Sequence, residues 1–520
     1  MFALRYRLLW CFFPLLANFT PTANGLEVLL YVFGISRSHA MFASRFANAL
    51  TTKGHHVTTF LAPTTSQVNL PKFPTQDDLF LVTVGEAAAL FKSMQQTIMR
   101  RVVNGEFLGW ELVKMAQVTE RMMLEVCSTV TNDTALLDRI RKHRYDVIVS
   151  NCFDICIFGL VAQVHSGKMA CLSAGTYITD LAELMMAIPN YPSYTPHMLT
   201  TMTDAMTFPE RAFNTLVHWG VRILIRLPGT AYYKEIQFLR RMFNWTIGSI
   251  DELSQADALF MNGEQFLDFP RPMLHEIAFM GDPESPSSED LSDEWHRLLN
   301  ESKKGIILFS FGSIVSMSWL GVNFKEQLLN AFERFPEFTV VWKLDDPSFL
   351  ERHTLPSHVH AFDWVPQRQL LNSRKVKVFI THAGYNSLLE VTLAGVPVIL
   401  IPLFGDQPGN AARAVRRGLG LQLQVTGITA DILEEKIKQV LSNDGIATRA
   451  KAFSAMLRDK IMPTDHLIAK RFEQLVNGKG IRMFHKIKNL SSPVKLCFDI
   501  VALIGALISI MVFLAYAQCR

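Results

Sequence analysis

Residues that could bind a charged, phosphate-bearing ligand are concentrated in the second half of this 520-residue chain. The β-branched run Val376–Ile380 leads into a turn that contains His382 and Gly384, and a helix is predicted to open near Asn386 and Ser387. The first turn of a helix has unpaired backbone amides and the positive end of the helix dipole, which favour an anion. These residues therefore predict a diphosphate site.

Five further side chains around this turn could bind the rest of a nucleotide sugar. Trp364 offers a flat face on which a base can stack, and Gln367 can hydrogen-bond the edge of that base. Glu390, one turn into the helix, can accept both ribose hydroxyls. Asp406 and Gln407, just after the next strand, can hold sugar hydroxyls in the crevice. Each residue type alone is common in cores, caps or surfaces, so the prediction depends on the combination.

A candidate general base lies near the start of the chain. His39 follows the predicted strand Leu26–Phe33, and a residue at the carboxyl end of a parallel strand faces the crevice of the sheet. The alternative is that His39 caps the following helix. His55 and His56, at the far end of that helix, are interpreted as structural.

The elements that must position these residues alternate between short apolar runs and longer helical patterns, which is typical of parallel α/β layers. A stretch rich in Pro, Ser, Asp and Glu at Gly281–Asp293 divides them into two Rossmann-like halves, residues 24–280 and 281–463. The predicted strands are Leu26–Phe33, His56–Leu61, Leu79–Val84, Asp146–Val149, Ile306–Phe311, Val340–Leu344, Val376–Ile380 and Val398–Ile401.

The two ends of the chain predict targeting to a membrane. Residues 1–23 combine early arginines, an apolar run and small residues, which is the pattern of a secretory signal peptide. Leu496–Ala517 is apolar except for Asp499 and Ser509, and a helix of that length would reach about 33 Å, enough to cross a bilayer. We therefore expect a single-pass type I membrane protein with a lumenal body, in the endoplasmic reticulum.

Four cysteines lie between these ends: Cys127, Cys152, Cys156 and Cys171. Four are too few for a disulfide scaffold. Cys152 and Cys156 could share one helix face, where a buried thiol pair is favoured over a metal site because no His or carboxylate ligand is adjacent.

Several function classes find no support. The 51 basic and 47 acidic residues are spread along the chain, so nucleic acid is not an expected partner. Neither half has a strand followed by G-x-G-x-x-G, which argues against a dinucleotide redox enzyme. No D-x-D triplet occurs, so we expect no metal in the site, with backbone amides and helix dipoles binding the diphosphate. No carboxylate pair of a glycoside hydrolase stands out.

The segment from Phe208 to Leu239 is amphipathic, with aromatic and basic flanks. It could touch a membrane surface. The alternative is a helix that covers the cleft with its apolar face inward.

The order and spacing of Trp364-Val365-Pro366-Gln367, Thr381-His382-Ala383-Gly384, Glu390 and Asp406-Gln407 resemble the signature of the UDP-glycosyltransferase family, including the animal UDP-glucuronosyltransferases. The resemblance extends to Ser310-Phe311-Gly312-Ser313, where Ser313 would contact the diphosphate. It also covers the segment Asp268-Phe269-Pro270-Arg271-Pro272 and the C-terminal anchor, and so nearly the whole chain.

This resemblance implies a GT-B fold, in which the N-terminal domain binds the acceptor and the C-terminal domain binds the UDP-sugar. A helix at residues 464–490 should return to the first domain. The implied reaction is inverting and metal-independent: His39 deprotonates a hydroxyl of a small lipophilic acceptor, which attacks the anomeric carbon as UDP leaves. The UDP-sugar is a co-substrate, and no other cofactor is expected.

Two positions depart from the family pattern. The carboxylate that pairs with the histidine is replaced by Asn151, and Asp154 is the nearest candidate substitute. An arginine found upstream of F-P-R-P in vertebrate glucuronosyltransferases corresponds to Asn262, so glucuronic acid and glucose both remain candidate sugars. Asn151 also motivates a second hypothesis, a catalytically weak UDP-sugar-binding subunit that associates with active relatives in a homo- or hetero-oligomer.

Overall fold

The structure is a computed structural model that describes residues 25–34, 37–63, 71–74, 79–81, 86–106, 110–152, 155–161, 168–176, 178–186, 188–198, 200–243, 256–281, 291–460, 462–477 and 498–518. The predicted signal peptide and most of the predicted linker lie outside these residues, as does Asp154.

Two parallel β-sheets organise the described chain. The first contains seven strands in the order β3-β2-β1-β4-β5-β6-β7, and the second contains six in the order β10-β9-β8-β11-β12-β13. In both sheets the order reverses beside the first strand, which is the doubly wound Rossmann arrangement. The strands are β1 Glu27–Gly34, β2 His56–Pro63, β3 Leu79–Leu81, β4 Val147–Ser150, β5 Met169–Ser173, β6 Ala258–Met261, β7 Ile277–Phe279, β8 Ile306–Ser310, β9 Thr339–Lys343, β10 Val359–Phe362, β11 Val376–Thr381, β12 Val398–Leu400 and β13 Gly420–Gln422.

Helices connect the strands and cover both faces of each sheet. Those of the first half are α1 Arg37–Thr52, α2 Glu86–Asn104, α3 Trp110–Asn132, α4 Thr134–Lys142, α5 Cys156–Val161, α6 Asp180–Met186, α7 Phe208–Leu224 and α8 Ala231–Phe243. Those of the second half are α9 Asp293–Glu301, α10 Val322–Phe332, α11 Pro347–Leu350, α12 Gln367–Asn372, α13 Tyr385–Ala394, α14 Gln407–Arg416, α15 Ala430–Leu441, α16 Asp444–Arg458, α17 Thr464–Asn477 and α18 Phe498–Gln518, with a short 3-10 helix at Met317–Trp319.

Alternation along the central strands supplies separate cores to the two faces of each sheet. In β1, Leu29 and Tyr31 belong to one cluster and Val28 and Leu30 to the other. Successive side chains of a strand point to opposite faces, so a strand buried on both sides is apolar throughout. This explains why the central strands are nearly continuous apolar runs and why the sequence revealed them.

Helix α17 lies against the first sheet although it follows the second sheet in sequence. Its Phe472 contacts Phe46 of α1 and Phe260 of β6, with ring centroids 5.4 and 5.2 Å apart, and Ile468 is fully buried in the same cluster. Three aromatic rings at such distances bury a large apolar area. Helix α17 therefore ties the two halves together. Residues 478–490 of the predicted returning helix lie outside the described residues.

Helix α7 exposes apolar side chains and buries polar ones. Phe208, Phe213, Leu216 and Ile223 are 75, 53, 71 and 57% exposed, whereas the polar Asn214 and His218 are buried beneath the helix. The alternative of an apolar face turned inward is therefore wrong, because the inner side of the helix is filled by polar contacts to the segment between α6 and α7.

The cysteines form two disulfides, Cys127–Cys156 and Cys152–Cys171. The predicted thiol pair of Cys152 and Cys156 is wrong, because Cys152 bonds to β5 and Cys156 bonds to α3. Cys152, two residues after the end of β4, has a positive φ of 46°.

No helix in the described part of the chain is both long and apolar enough to cross a membrane. The predicted membrane-spanning helix at residues 496–517 is therefore not confirmed.

Candidate active site

The candidate base lies where the order of the first sheet reverses. His39 is in the first turn of α1, which follows β1, and Asn151 follows β4, the neighbour of β1. Crevices outside the carboxyl ends of parallel strands form at such reversals, so both side chains face the same crevice. The topology therefore brings His39 and Asn151 together as the sequence predicted.

The surroundings of His39 are polar but uncharged. Asn151 donates from Nδ2 to the carbonyl oxygen of Phe33 at 2.8 Å, while Asn151 Oδ1 and His39 Nδ1 are buried without a hydrogen-bond partner among the described residues. Burial lowers the pKa of His39 to about 4 and outweighs a hydrogen bond to the Phe33 carbonyl, which acts in the opposite direction. Near neutral pH the imidazole is thus unprotonated, able to accept a proton but poorly able to keep it.

His39 and Asn151 line a small cavity together with Ser173 and Ala174 after β5 and Thr179 and Ala182 around α6. Its volume is about 20 Å³, room for about one water molecule or hydroxyl group, whereas small-molecule sites measure about 300–1,000 Å³. A whole ligand can enter only if the surrounding elements move apart.

The second sheet reverses between β8 and β11, and a glycine-rich turn lies there. His382 directly follows β11 and is held between Gly312 and Gly384: a Cβ added to Gly312 would lie 2.7 Å from the imidazole, and one added to Gly384 would lie 2.5 Å from it. Ala383 takes a positive φ of 65°, and Gly384 then caps α13. This turn aims the amides at the start of α13 into the crevice, where they can bind a diphosphate.

His382 itself is buried and neutral. Burial lowers its pKa to about 3, and nearby Lys343 lowers it further. Its Nδ1 lies 3.3 Å from the hydroxyl of Thr381. His382 therefore supports the anion-binding turn as a neutral ring. Ser313, in the turn after β8, is exposed beside it.

Asn386 and Ser387 in the first turn of α13 both have side-chain partners. Asn386 Oδ1 accepts from Asn262 Nδ2 at 2.7 Å, which joins the two halves across the crevice. Ser387 Oγ accepts from Gln367 Nε2 at 3.1 Å.

Trp364 and Glu390, the residues predicted to bind the nucleoside, differ in their surroundings. Trp364 is 53% exposed, which is unusual for so large an apolar side chain. Gln367 Nε2 donates to Glu390 Oε2 at 2.7 Å, and the other carboxylate oxygen faces Arg368 at 3.8 Å and Arg45 at 4.0 Å. Arg45 belongs to α1 of the first half. No sequence pattern identified Arg45 as a site residue, because its contact with Glu390 depends on how the halves meet.

Asp406 and Gln407 shape the turn after β12. Gln407 Oε1 accepts from the backbone amides of Leu403 and Phe404 at 2.9 and 3.2 Å. Burial raises the pKa of Asp406, although Asn410 Nδ2 donates to it at 2.8 Å. Gln407, one of the two residues predicted to bind the sugar, thus stabilises its own loop through its side-chain oxygen.

The junction segment around Asp268 contacts α14. Arg413 Nε donates to Asp268 Oδ1 at 2.8 Å and its guanidinium lies 5.0 Å from the ring centroid of Phe269, while Arg417 Nη2 donates to the Asp268 carbonyl at 2.8 Å. Arg271 Nε is 3.0 Å from Asp268 Oδ2. A buried carboxylate with such partners fixes the angle between the halves. The family resemblance included this segment, but no sequence pattern identified Arg413 or Arg417.

Comparisons with known proteins agree with this architecture. A family model described as UDP-glucoronosyl and UDP-glucosyl transferase matches residues 28–520. UDP-glucuronosyltransferase 1A7 of Mus musculus is 29% identical over 407 residues, covering 76% of this chain and 73% of the mouse protein. UDP-glucuronosyltransferase 1A5 of Rattus norvegicus is 25% identical over 509 residues, covering 96% and 92%. Among solved structures, the glycosyltransferase VinC in complex with DTDP has a TM-score of 0.58 at 18% identity, covering 87% of this chain and 99% of VinC.

Proposed function

The chain belongs to the UDP-glucuronosyl and UDP-glucosyl transferase family and has the GT-B fold, and from this premise we propose that it transfers a hexose from a UDP-sugar to a hydroxyl of a small lipophilic acceptor. The observation that carries the proposal is the pairing of two crevices. A buried neutral histidine lies at the reversal of one sheet, and an anion-binding helix start lies at the reversal of the other. Contacts between Asn262 and Asn386 and between Arg45 and Glu390 hold these crevices face to face.

The proposed reaction proceeds by direct displacement, with inversion and without a metal ion. The acceptor hydroxyl passes its proton to the unprotonated imidazole of His39, its oxygen forms a bond to the anomeric carbon, and the bond from that carbon to the UDP oxygen breaks. The charge that develops on the diphosphate is stabilised by the amides at the start of α13, with Ser313 and the turn at His382 beside it. Trp364 stacks on the base, Glu390 binds the ribose, and Asp406 and Gln407 contact the sugar.

The donor sugar is glucuronic acid or glucose. Asn262 is a neutral amide that already bonds Asn386 and the carbonyl of Ala174, so this position supplies no cation for a sugar carboxylate. A carboxylate in this crevice would need another partner. Comparing UDP-glucuronate with UDP-glucose at equal concentration tests the sugar, independently of whether transfer occurs.

The alternative proposal is a catalytically weak UDP-sugar-binding subunit that associates with active relatives. It is favoured by one observation: the pKa of His39 is lowered to about 4 and no carboxylate among the described residues pairs with it. An imidazole with so low a pKa binds the proton of the acceptor hydroxyl weakly. Asp154, which lies outside the described residues, is the candidate that could supply the missing charge.

One experiment separates the two proposals. The purified chain is incubated with radiolabelled UDP-sugars and a panel of phenols and steroids, and UDP binding is measured in parallel by calorimetry. Product that disappears in His39→Ala but persists in Asn151→Ala supports the enzyme. UDP binding without product at any pH, for every donor and acceptor tested, supports the subunit. An inactive chain that also fails to bind UDP would contradict both.

For localisation we propose a lumenal body at the surface of the endoplasmic reticulum membrane, preceded by a signal peptide at residues 1–23 and anchored by residues 496–517. Two disulfides support an oxidising compartment. The exposed apolar face of α7 supports contact with the bilayer, because its residues repeat on one side of the helix and arginines flank them. Lipophilic acceptors partition into the same bilayer, so contact there would bring them to the acceptor half.

A further inference from the structure

A cluster of two histidines and one carboxylate lies beneath α7, outside the site described above. Asp180 of α6, His197 of the segment between α6 and α7, and His218 of α7 each offer one ligand atom, and these atoms lie within 4.8 Å of one another. His197 and His218 are 5 and 4% exposed, and their rings are in edge contact with centroids 4.7 Å apart. Imidazole and carboxylate are the donors that zinc-like divalent cations prefer.

The spacing of one ligand pair suits a tetrahedral ion. His197 Nε2 and Asp180 Oδ2 are 3.2 Å apart. Ligand distances of about 2.0–2.2 Å from zinc imply about 3.3–3.5 Å between neighbouring ligand atoms in a tetrahedron, so this pair already has nearly the required spacing. His218 Nε2 lies 3.2 Å from the carbonyl of Thr195, and donation to a backbone carbonyl is the contact that orients a metal-binding imidazole. The other ring nitrogen, Nδ1, is then unprotonated and lies 3.2 Å from Asn190 Nδ2, a donor that an ion bound at Nδ1 would displace.

Three unused polar atoms belong to Asp180 and to two residues that contact His218. Asp180 Oδ1, Asn190 Oδ1 and Thr195 Oγ1 are all buried and have no hydrogen-bond partner among the described residues. Thr195 is only 4% exposed. Buried polar atoms are nearly always satisfied, so three unsatisfied ones around a histidine pair indicate a missing ligand rather than a packing accident.

The charge balance also favours a cation. The neighbouring carboxylate of Glu183 faces Arg222 at 2.6 Å, so that pair is neutral. The nearest partner of Asp180 is the ring of His197, which carries no charge when it acts as a metal ligand. One carboxylate therefore remains to match a divalent ion, and the Thr195 hydroxyl or a water can complete the coordination.

We propose that Asp180, His197 and His218 bind one zinc-like divalent cation that fastens α7 and its connecting segment to α6. Its role is structural and separate from sugar transfer, which needs no metal in the proposed mechanism. It would nevertheless shape the acceptor half, because Thr179 and Ala182, which flank Asp180, line the cavity that contains His39. The ion would hold the wall of that cavity in place while the outer face of α7 remains available.

The test uses the full-length chain, freed of metal by a chelator and dialysed. Titration with Co²⁺ should give the intense visible absorption of a tetrahedral site at one equivalent, and Zn²⁺ should abolish it. Zn²⁺ but not Mg²⁺ should raise the melting temperature of the same wild-type protein, because an ion that binds only the folded state stabilises it. This measurement does not depend on any variant folding. Absence of both signals would overturn the proposal.

Variants locate the ion. His197→Gln and His218→Gln should each lose the bound equivalent, whereas Asn190→Ala should bind Zn²⁺ at least as tightly as the wild type, because it removes a donor that competes with the ion for His218 Nδ1. His296→Gln, at an exposed histidine of α9, is the matched control and should bind as the wild type does. If the equivalent persists in both cluster variants, the ion binds elsewhere on the surface and the assignment is wrong. Because metal content is measured without substrates, failure here would leave the proposed transfer untouched.

Discussion

Substituting Asn151 by Asp tests how the structure controls the base. In the wild-type protein, burial lowers the pKa of His39 to about 4, and Asn151 contributes a neutral amide to the same cavity. A carboxylate about 4 Å from an imidazolium attracts it by about 4 kcal/mol at an effective dielectric constant of about 20. At about 1.4 kcal/mol per pKa unit, the pKa of His39 could rise by about 3.

The realised shift should be smaller. Asn151 Nδ2 donates to the carbonyl of Phe33, and a carboxylate cannot replace that donor. We therefore expect a rise of about 2 units, to a pKa near 6. The same interaction stabilises the imidazolium that forms in the transition state by up to about 2.7 kcal/mol, so kcat/KM at pH 8 should increase by about 10–100-fold.

The assay is the pH profile of kcat/KM, with circular dichroism in each buffer to confirm folding. Only the unprotonated imidazole accepts a proton, so activity falls as the pH drops below the pKa of His39. The acidic limb should move from about pH 4 in the wild type to about pH 6 in Asn151→Asp. Asn151→Ala is the control, because it removes the amide without adding charge and should leave the limb in place.

Two results would contradict this account. If Asn151→Asp and Asn151→Ala have the same limb and the same rate, position 151 does not act through charge. If the wild-type limb already lies near pH 6 and falls in Asp154→Asn, the carboxylate role belongs to Asp154.

Three further predictions follow from particular contacts. Trp364→Ala should weaken UDP binding by about 1–3 kcal/mol through loss of base stacking, and unchanged affinity in calorimetry would refute the assignment. The pKa of His382 is about 3 when folded and about 6.5 when unfolded, so the unfolded state binds a proton first and stability is lost as pH falls below 6.5. His382→Gln should therefore remove about 2 kcal/mol of the stability difference between pH 7 and pH 5 in urea unfolding, and an unaltered difference would argue against a buried neutral ring. Leu216→Asp on α7 should reduce co-flotation of the chain with anionic liposomes about tenfold or more, whereas Ile432→Asp, at an exposed residue of α15, should not; equal effects would count against α7 as the contact.

The sequence predicted strands β1 to β4, β8, β9, β11 and β12, and it missed β5, β6, β7, β10 and β13. β1, β4 and β8 are nearly continuous apolar runs because both faces of each are buried, and in β11 the exposed Lys377 interrupts the run. Strands such as β5, with the sequence Met-Ala-Cys-Leu-Ser, and the three-residue β13 lack β-branched residues and become strands only by pairing with a neighbour. Since β-propensity mostly reflects such packing, no local pattern could reveal them.

The same division applies to the site. His382, Gly384 and Glu390 could be found because a strand, a turn and a helix start follow one another in sequence. Arg45 contacts Glu390, which lies hundreds of positions later in the chain, and Asn262 contacts Asn386, more than a hundred positions later. Both contacts depend on how the halves meet. The disulfides were missed for a related reason, because pairing depends on geometry that spacing does not reveal.

These contacts between the halves have a consequence for donor binding. The side chains expected to bind the donor, Asn386 and Glu390, are already engaged by Asn262 and Arg45 of the acceptor half. The acceptor cavity is at the same time only about 20 Å³ in volume. A UDP-sugar that draws Asn386 or Glu390 into its own hydrogen bonds would release contacts that hold the halves together. The residues that line this cavity all belong to the first half, so release of these contacts would open the crevice between the halves without widening the cavity itself.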